Sequence, residues 1–138
     1  MFHLVYVSSA VEPFGRAELV EMLVKSRDKN KRLGITGMLL YQGGNFIQLL
    51  EGEEAAVREL FASIRQDPRH RGVIVVLDEP AGESLFGDWS MGFRDLADAE
   101  VQAMPGFTPF MNLSLSVEGF RDDPGGCMEL LKLFRKGR

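Results

Sequence analysis

The chain has 138 residues, 45% of them apolar and 26% charged, with one cysteine and a formal charge of −4. This is ordinary globular composition for one domain, which excludes collagen-like and disordered chains. The acidic balance argues against a nucleic-acid binder held by phosphate contacts, and the lone Cys127 excludes an internal disulfide or a cysteine-cluster zinc site. No apolar run approaches the roughly 20 residues that span a bilayer. The opening MFHLVYVSSA lacks the basic start and long apolar core of a signal peptide. The expectation is a cytoplasmic domain with no membrane contact and no nucleic-acid partner.

Phe2 to Ser8 is apolar and β-branched and reads as a strand. Val11 to Gly15 ends it by turn chemistry. From Arg16 to Asp28, the positions Leu19, Met22, Leu23 and Ser26 share one helical face. The polar stretch Asn30 to Gly34 is expected to end that helix. Ile35 to Tyr41 and Phe46 to Glu51 read as strands joined by the hairpin Gln42-Gly43-Gly44-Asn45. A second helix runs from Glu53 to Gln66, with Val57, Leu60, Phe61 and Ile64 as a one-sided apolar stripe. Asp67-Pro68 stops it, because proline disfavours helix at the preceding residue. Val73 to Leu77 is a continuous apolar run and reads as a buried central strand. Phe86 to Phe93 reads as a last strand, with Trp89, Met91 and Phe93 on one face.

This order predicts an α+β, ferredoxin-like sandwich, a mixed five-stranded sheet with two helices on one face. The composition then shifts: Met104 to Val117 is rich in Phe, Met and Pro. Asp123-Pro124 suits a helix start, and Cys127, Leu130, Leu131 and Phe134 form an apolar stripe after it. The expected division is a domain over 1–96 and a C-terminal helical cap over 97–138. Such a short helix needs a surface to pack on, either the open sheet face or another subunit.

Familiar catalytic constellations are missing. The two histidines, His3 and His70, have no metal-ligand spacing. No GxSxG elbow, GxGxxG turn or Walker lysine follows the first strand. An acylphosphatase-like enzyme on this fold would want an arginine in the first loop, and Ser8 to Phe14 holds no basic residue. The chain is therefore expected not to be an enzyme. What stands out is a set of polar and aromatic residues at strand positions: Tyr6, Gln48, Trp89 and Met91. A buried glutamine must pair its amide or lose about 1–3 kcal/mol. Taken singly, each has a plain reading: Tyr6, Trp89 and Met91 as core, and Gln48 on a solvent face.

Five stretches together resemble the BLUF family of blue-light sensors that use FAD: LVYVSSA at 4–10, NKRLGITGMLLY at 30–41, NFIQLLEG at 45–52, DPRH at 67–70 and WSM at 89–91. The resemblance runs in order from residue 2 to about 96. It implies a ferredoxin-like sheet with the isoalloxazine ring between the two helices, flanked by Met22 and Ile64, whose plain alternative is core packing. It implies that Tyr6 is the photoactive tyrosine and Gln48 the switching glutamine. Asn30 would bond the flavin's polar edge, and Arg69 and His70 would be a basic pair beside it, or else part of a solvated turn. Trp89 and Met91 would relay the signal. Lys29 departs from the asparagine or histidine common at that position, so it either bonds the flavin or turns outward.

In that family light drives transfer from the tyrosine. The glutamine then rearranges by tautomerisation or rotation, and a stronger hydrogen bond to the flavin C4=O shifts absorption slightly to the red. The cofactor implied is FAD, with FMN or riboflavin as substitutes. The partner implied is a downstream signalling protein, and the tail resembles that of short stand-alone members working as homodimers or higher oligomers. The alternative is a flavin-free ferredoxin-like module that binds a protein or small ligand; it would drop Tyr6, Gln48 or Asn30, and all three are present.

Overall fold

Alternating apolar and β-branched residues build a sheet, and two amphipathic stretches build the helices that cover one side of it. The structure, a computed structural model, describes residues 1–12, 15–42, 44–84 and 92–95. The elements are β1 (Phe2–Ala10), α1 (Arg16–Leu33), β2 (Thr36–Gln42), β3 (Asn45–Gly52), α2 (Glu54–Arg65), β4 (His70–Pro80) and β5 (Gly92–Asp95). The sheet order is β4-β1-β3-β2-β5. The neighbouring pairs β4–β1, β1–β3 and β3–β2 are antiparallel, and β5 runs parallel to β2 with Met38 opposite Gly92. This is the expected mixed sheet, with both crossover helices on the same side.

Strand alternation sends Phe2, Leu4 and Tyr6 of β1 and Phe46 and Leu50 of β3 toward the helices. There they meet Leu19 and Leu23 of α1 and Val57, Leu60 and Phe61 of α2, the stripes read from the sequence. The opposite face is buried as completely: Val5, Val7, Met38, Leu40, Ile47 and Leu49 are each at most 1% exposed.

Four expectations need correction or restriction. Helix α1 does not end at Asp28 but runs on to Leu33. Its last turn is polar because Lys31 and Arg32 face water while Asn30 turns inward, and the two basic residues suit the negative end of the helix dipole. The true stop is Gly34, at φ 69°, with Gly34 N–H bonded to Lys31 O at 3.3 Å and Ile35 N–H to Asn30 O at 2.9 Å. Val73–Leu77 is not central: β4 is an edge strand, bonded within the sheet to β1. Its apolar run is also not buried as expected, since Val73, Ile74, Val76 and Leu77 are only partly covered and Val75 is exposed, and its position is set by the second β-α-β crossover. Of the strand expected over 86–93, only Gly92 and Phe93 fall among the described residues, where they belong to β5. The cap expected over 97–138 lies outside the described residues.

Candidate functional site

The register of β1 and β3 puts Tyr6 directly opposite Gln48, both on the face that meets the helices. They are 4% and 6% exposed. The solvent-facing alternative for Gln48 is thus excluded. The Tyr6 hydroxyl donates to Gln48 Oε1. A phenol donor requires an acceptor, so the carbonyl end of the amide is assigned toward Tyr6 and the NH2 end away from it. Burial pushes the Tyr6 phenol well above its ordinary pKa, and the nearby Asp67 carboxylate adds to the shift. Tyr6 is therefore a neutral donor. Its ring packs 5.3 Å from that of Phe61 and stands edge-on to His70 at 6.3 Å.

Above this pair a cleft opens between the helices, with about 530 Å³ of space including its open mouth. Met22 of α1 and Ile64 of α2, both half-buried, line it from the two helices, and Leu39 and Phe46 join Tyr6 and Gln48. An adjoining stretch is lined by Lys25, Lys29, Asn30 and Ser63, and it shares Gln48, Ser26, Ile64 and Asp67 with the first. Asn30 is only 2% exposed. The longer α1 accounts for this: the residue sits on the last turn instead of in a polar loop. Lys29 is exposed but lines the same stretch.

The turn after α2 supplies the charged part. Arg69 grips Asp67 through Nε at 3.0 Å and Nη2 at 2.6 Å, and the Arg69 backbone N–H also donates to Asp67 at 2.9 Å. These bonds hold the Asp67 carboxyl below its usual range and raise the Arg69 guanidinium. His70 is committed to the protein. Its Nε2 donates to the Ile64 carbonyl at 2.6 Å, and its Nδ1 lies 2.9 Å from the Ser8 hydroxyl. In the neutral ring Nδ1 accepts from Ser8. His70 thus pins the end of α2 to β1 while its ring lines the cleft.

Six sequence-identified residues therefore share one cleft with Tyr6 and Gln48: Met22, Lys29, Asn30, Ile64, Arg69 and His70. Trp89 and Met91 lie outside the described residues. Asp67, Ser26 and Ser8 were missed as site residues. Asp67 was read as a helix stop before Pro68 and Ser8 as a strand end, and both lie in stretches that carry the resemblance, but neither was given a site role. The available signal for Ser8 was its period-two spacing from Tyr6, which placed a hydroxyl on the same face. A flat ring with apolar faces and a polar edge suits this donor set: aliphatic side chains on facing walls, two buried amides and a guanidinium. A flavin fits it. Among the described residues no group of His, Cys, Asp and Glu is arranged to hold a metal ion, and no helix is long and apolar enough to cross a membrane.

Comparison with known proteins gives a consistent picture. The sequence profile described as BLUF, sensors of blue-light using FAD, matches residues 1–92. The chain is 39% identical over 89 residues to the photoactivated adenylate cyclase subunit beta of Euglena longa, covering 64% of this chain and 10% of that protein. It is 34% identical over 110 residues to the subunit alpha of Euglena gracilis, covering 80% of this chain and 10% of that protein. The chain thus spans about a tenth of the length of the curated relatives it matches. Among solved structures, the dark state of BlrB, a BLUF protein, superposes with a TM-score of 0.82 at 34% identity, covering 99% of this chain and 96% of that one. A bacterial light-regulated adenylyl cyclase superposes with a TM-score of 0.72 at 31% identity, covering 82% of this chain and 32% of that one.

Proposed function

Because the chain belongs to the BLUF family, the sensors of blue light using FAD, we propose that its cleft binds FAD non-covalently and that it reads blue light through Tyr6 and Gln48. The observation that carries this reading is the Tyr6–Gln48 hydrogen bond on the floor of a cleft walled by Met22 and Ile64. When bound, the flavin supplies the blue absorption and an excited state that accepts an electron.

Tyr6 is the donor of that electron. Its phenol is held neutral by burial, so its proton is still on Oη when the electron leaves. Oxidation makes the phenol strongly acidic, and the proton has a path along the bond already made to Gln48 Oε1. Gln48 suits the next step because a neutral amide carries both a donor and an acceptor. Rotation or tautomerisation exchanges what it offers to Tyr6 and to the cleft, and when the electron and the proton have returned to Tyr6 the amide is left in the second of two bonding states. Asn30 and Arg69 hold the polar edge of the ring, Met22 and Ile64 clamp its faces, and His70 keeps the end of α2 closed against β1. Lys29 lines the rim as a further contact.

We assign the relay to Trp89 and Met91 and the output to a downstream signalling protein. The chain itself acts as the sensor and not as an enzyme, in the cytoplasm, as a homodimer or higher oligomer. The likeness to proteins named as light-regulated cyclases supports an output through another protein unit. The test is spectroscopic. Protein loaded separately with FAD, FMN and riboflavin should be yellow, bind FAD, and shift its absorption reversibly to the red under blue light. Protein that takes up none of the three overturns the reading.

A further inference from the structure

On the sheet face opposite the cleft lies a buried carboxylate that the photoreaction does not use. Glu51 of β3 is 0% exposed. Among the described residues three donors converge on it, as suits an acceptor-only carboxylate. His3 Nε2 on β1 reaches Oε2 at 3.0 Å, and the Thr36 hydroxyl on β2 and the Ser84 hydroxyl each reach Oε1 at 2.7 Å. His3 and Thr36 are its direct cross-strand neighbours. Burying a carboxylate is costly unless it is paired in this way. Packing alone would favour an aliphatic residue, as at the fully buried neighbours Met38, Ile47 and Leu49.

The topology gives this cluster a task. Strand β4 ends at Pro80 on one edge of the sheet, and β5 begins at Gly92 on the other. The connection must cross four strand intervals, about 19 Å at the usual spacing. Ser84, four residues into it, already sits at β3 on the face away from the cleft. The crossover is thus tethered at Ser84 by Glu51 and at Gly92 by the ladder to β2. In sequence, Trp89 and Met91 lie between those two points. Glu51 also stands three residues from Gln48 on the same strand, on the opposite face, and its Oε1 holds β2 and the crossover through one atom.

We infer that Glu51 is a positioning residue for the light signal: its carboxylate, held by His3 and Thr36, anchors Ser84 and sets the start of the crossover segment that carries Trp89 and Met91. This rests on the Tyr6–Gln48 photoreaction proposed above. A change in β3 that follows from Gln48 reaches the start of the crossover through the Glu51–Ser84 bond.

The test uses the full FAD-loaded chain as wild type, Glu51→Gln and Ser84→Ala. Two light-minus-dark differences are read: the flavin absorption shift, and deuterium uptake over residues 84–95. Fluorescence of Trp89, the only tryptophan, is a second probe of the segment. Both variants should keep the wild-type red shift and lose the light-induced change in uptake over 84–95. Ser84→Ala removes one hydroxyl and leaves the three-strand cluster in place, so it decides the matter even where Glu51→Gln does not fold. A normal red shift with a full light-induced change in Ser84→Ala overturns the inference alone. A wild-type chain without a red shift overturns the photoreaction, and this inference with it.

Discussion

Tyr6 and Gln48 face each other across the β1–β3 ladder, and the Tyr6 hydroxyl donates to Gln48 Oε1. Tyr6→Phe keeps the ring that packs on Phe61 and removes only the donor. The variant should bind flavin and lose the reversible red shift under blue light. Its urea midpoint should fall by the equivalent of about 1 kcal/mol, the usual net worth of one hydrogen bond. A normal photocycle in this variant removes Tyr6 from the mechanism.

Gln48→Leu takes away the acceptor instead. The Tyr6 hydroxyl, in a residue 4% exposed, then has lost its acceptor in a buried site, which costs about 1–3 kcal/mol. Flavin should still bind between Met22 and Ile64, with no normal light-induced shift. Difference spectroscopy and urea denaturation of the same sample check both halves.

Tyr6 also makes a prediction at alkaline pH. Its folded-state pKa is raised, mainly by burial. Its contribution to stability is complete below the unfolded tyrosine value of about 10 and is lost as pH rises above it toward the folded value. Unfolding followed from pH 8 upward should therefore show a steeper loss for wild type than for Tyr6→Phe. Equal slopes contradict the assignment.

Asp67 has the opposite sign. Arg69 holds its carboxyl below the ordinary value, first through the side-chain hydrogen bond. The stabilisation is complete above the unfolded aspartate value of about 4 and is lost as pH falls through the depressed folded value. The pair is partly solvated, with side chains 28% and 55% exposed, so the effect is small. Asp67→Asn should flatten the acid limb of a stability–pH curve, which thermal melts between pH 6 and 2 would show.

Gly34 closes α1 at φ 69°, and a methyl group there would meet nothing within 4 Å. Gly34→Ala should thus cost backbone strain alone, about 1–2 kcal/mol in chemical denaturation. Because the same cap places Asn30, FAD affinity measured by titrating the apo-protein should fall as well.

Local patterns carried much of the fold. The α2 stripe Val57, Leu60, Phe61 and Ile64 is the face that packs, and alternation along β1 and β3 separates the two sheet faces. The end of α1 was illegible because its last turn is polar, the same composition as a loop, although Asn30 within it is buried. The place of β4 was illegible because an apolar run of strand length suits a half-covered edge strand as well as a buried central one. Of the residues proposed for the site, Tyr6 and Gln48 stood out as polar groups in apolar strands, Met22 and Ile64 came from the helical stripes, and Asn30, Arg69 and His70 came through the family's motifs. Asp67 and Ser8 were hidden behind commoner roles as a helix stop and a strand end.

By itself the sequence determined the element order, the helix-facing residues and the family, since these rest on local periodicity and short motifs. The tertiary structure alone decided which groups touch. Tyr6 and Gln48 stand 42 positions apart, and only the β1–β3 register brings the phenol onto the amide. Glu51 reads in sequence as a charge at a strand end. It is a fully buried carboxylate because neighbouring strands and Ser84 bring three donors to it, and no local pattern encodes donors that come from so far along the chain.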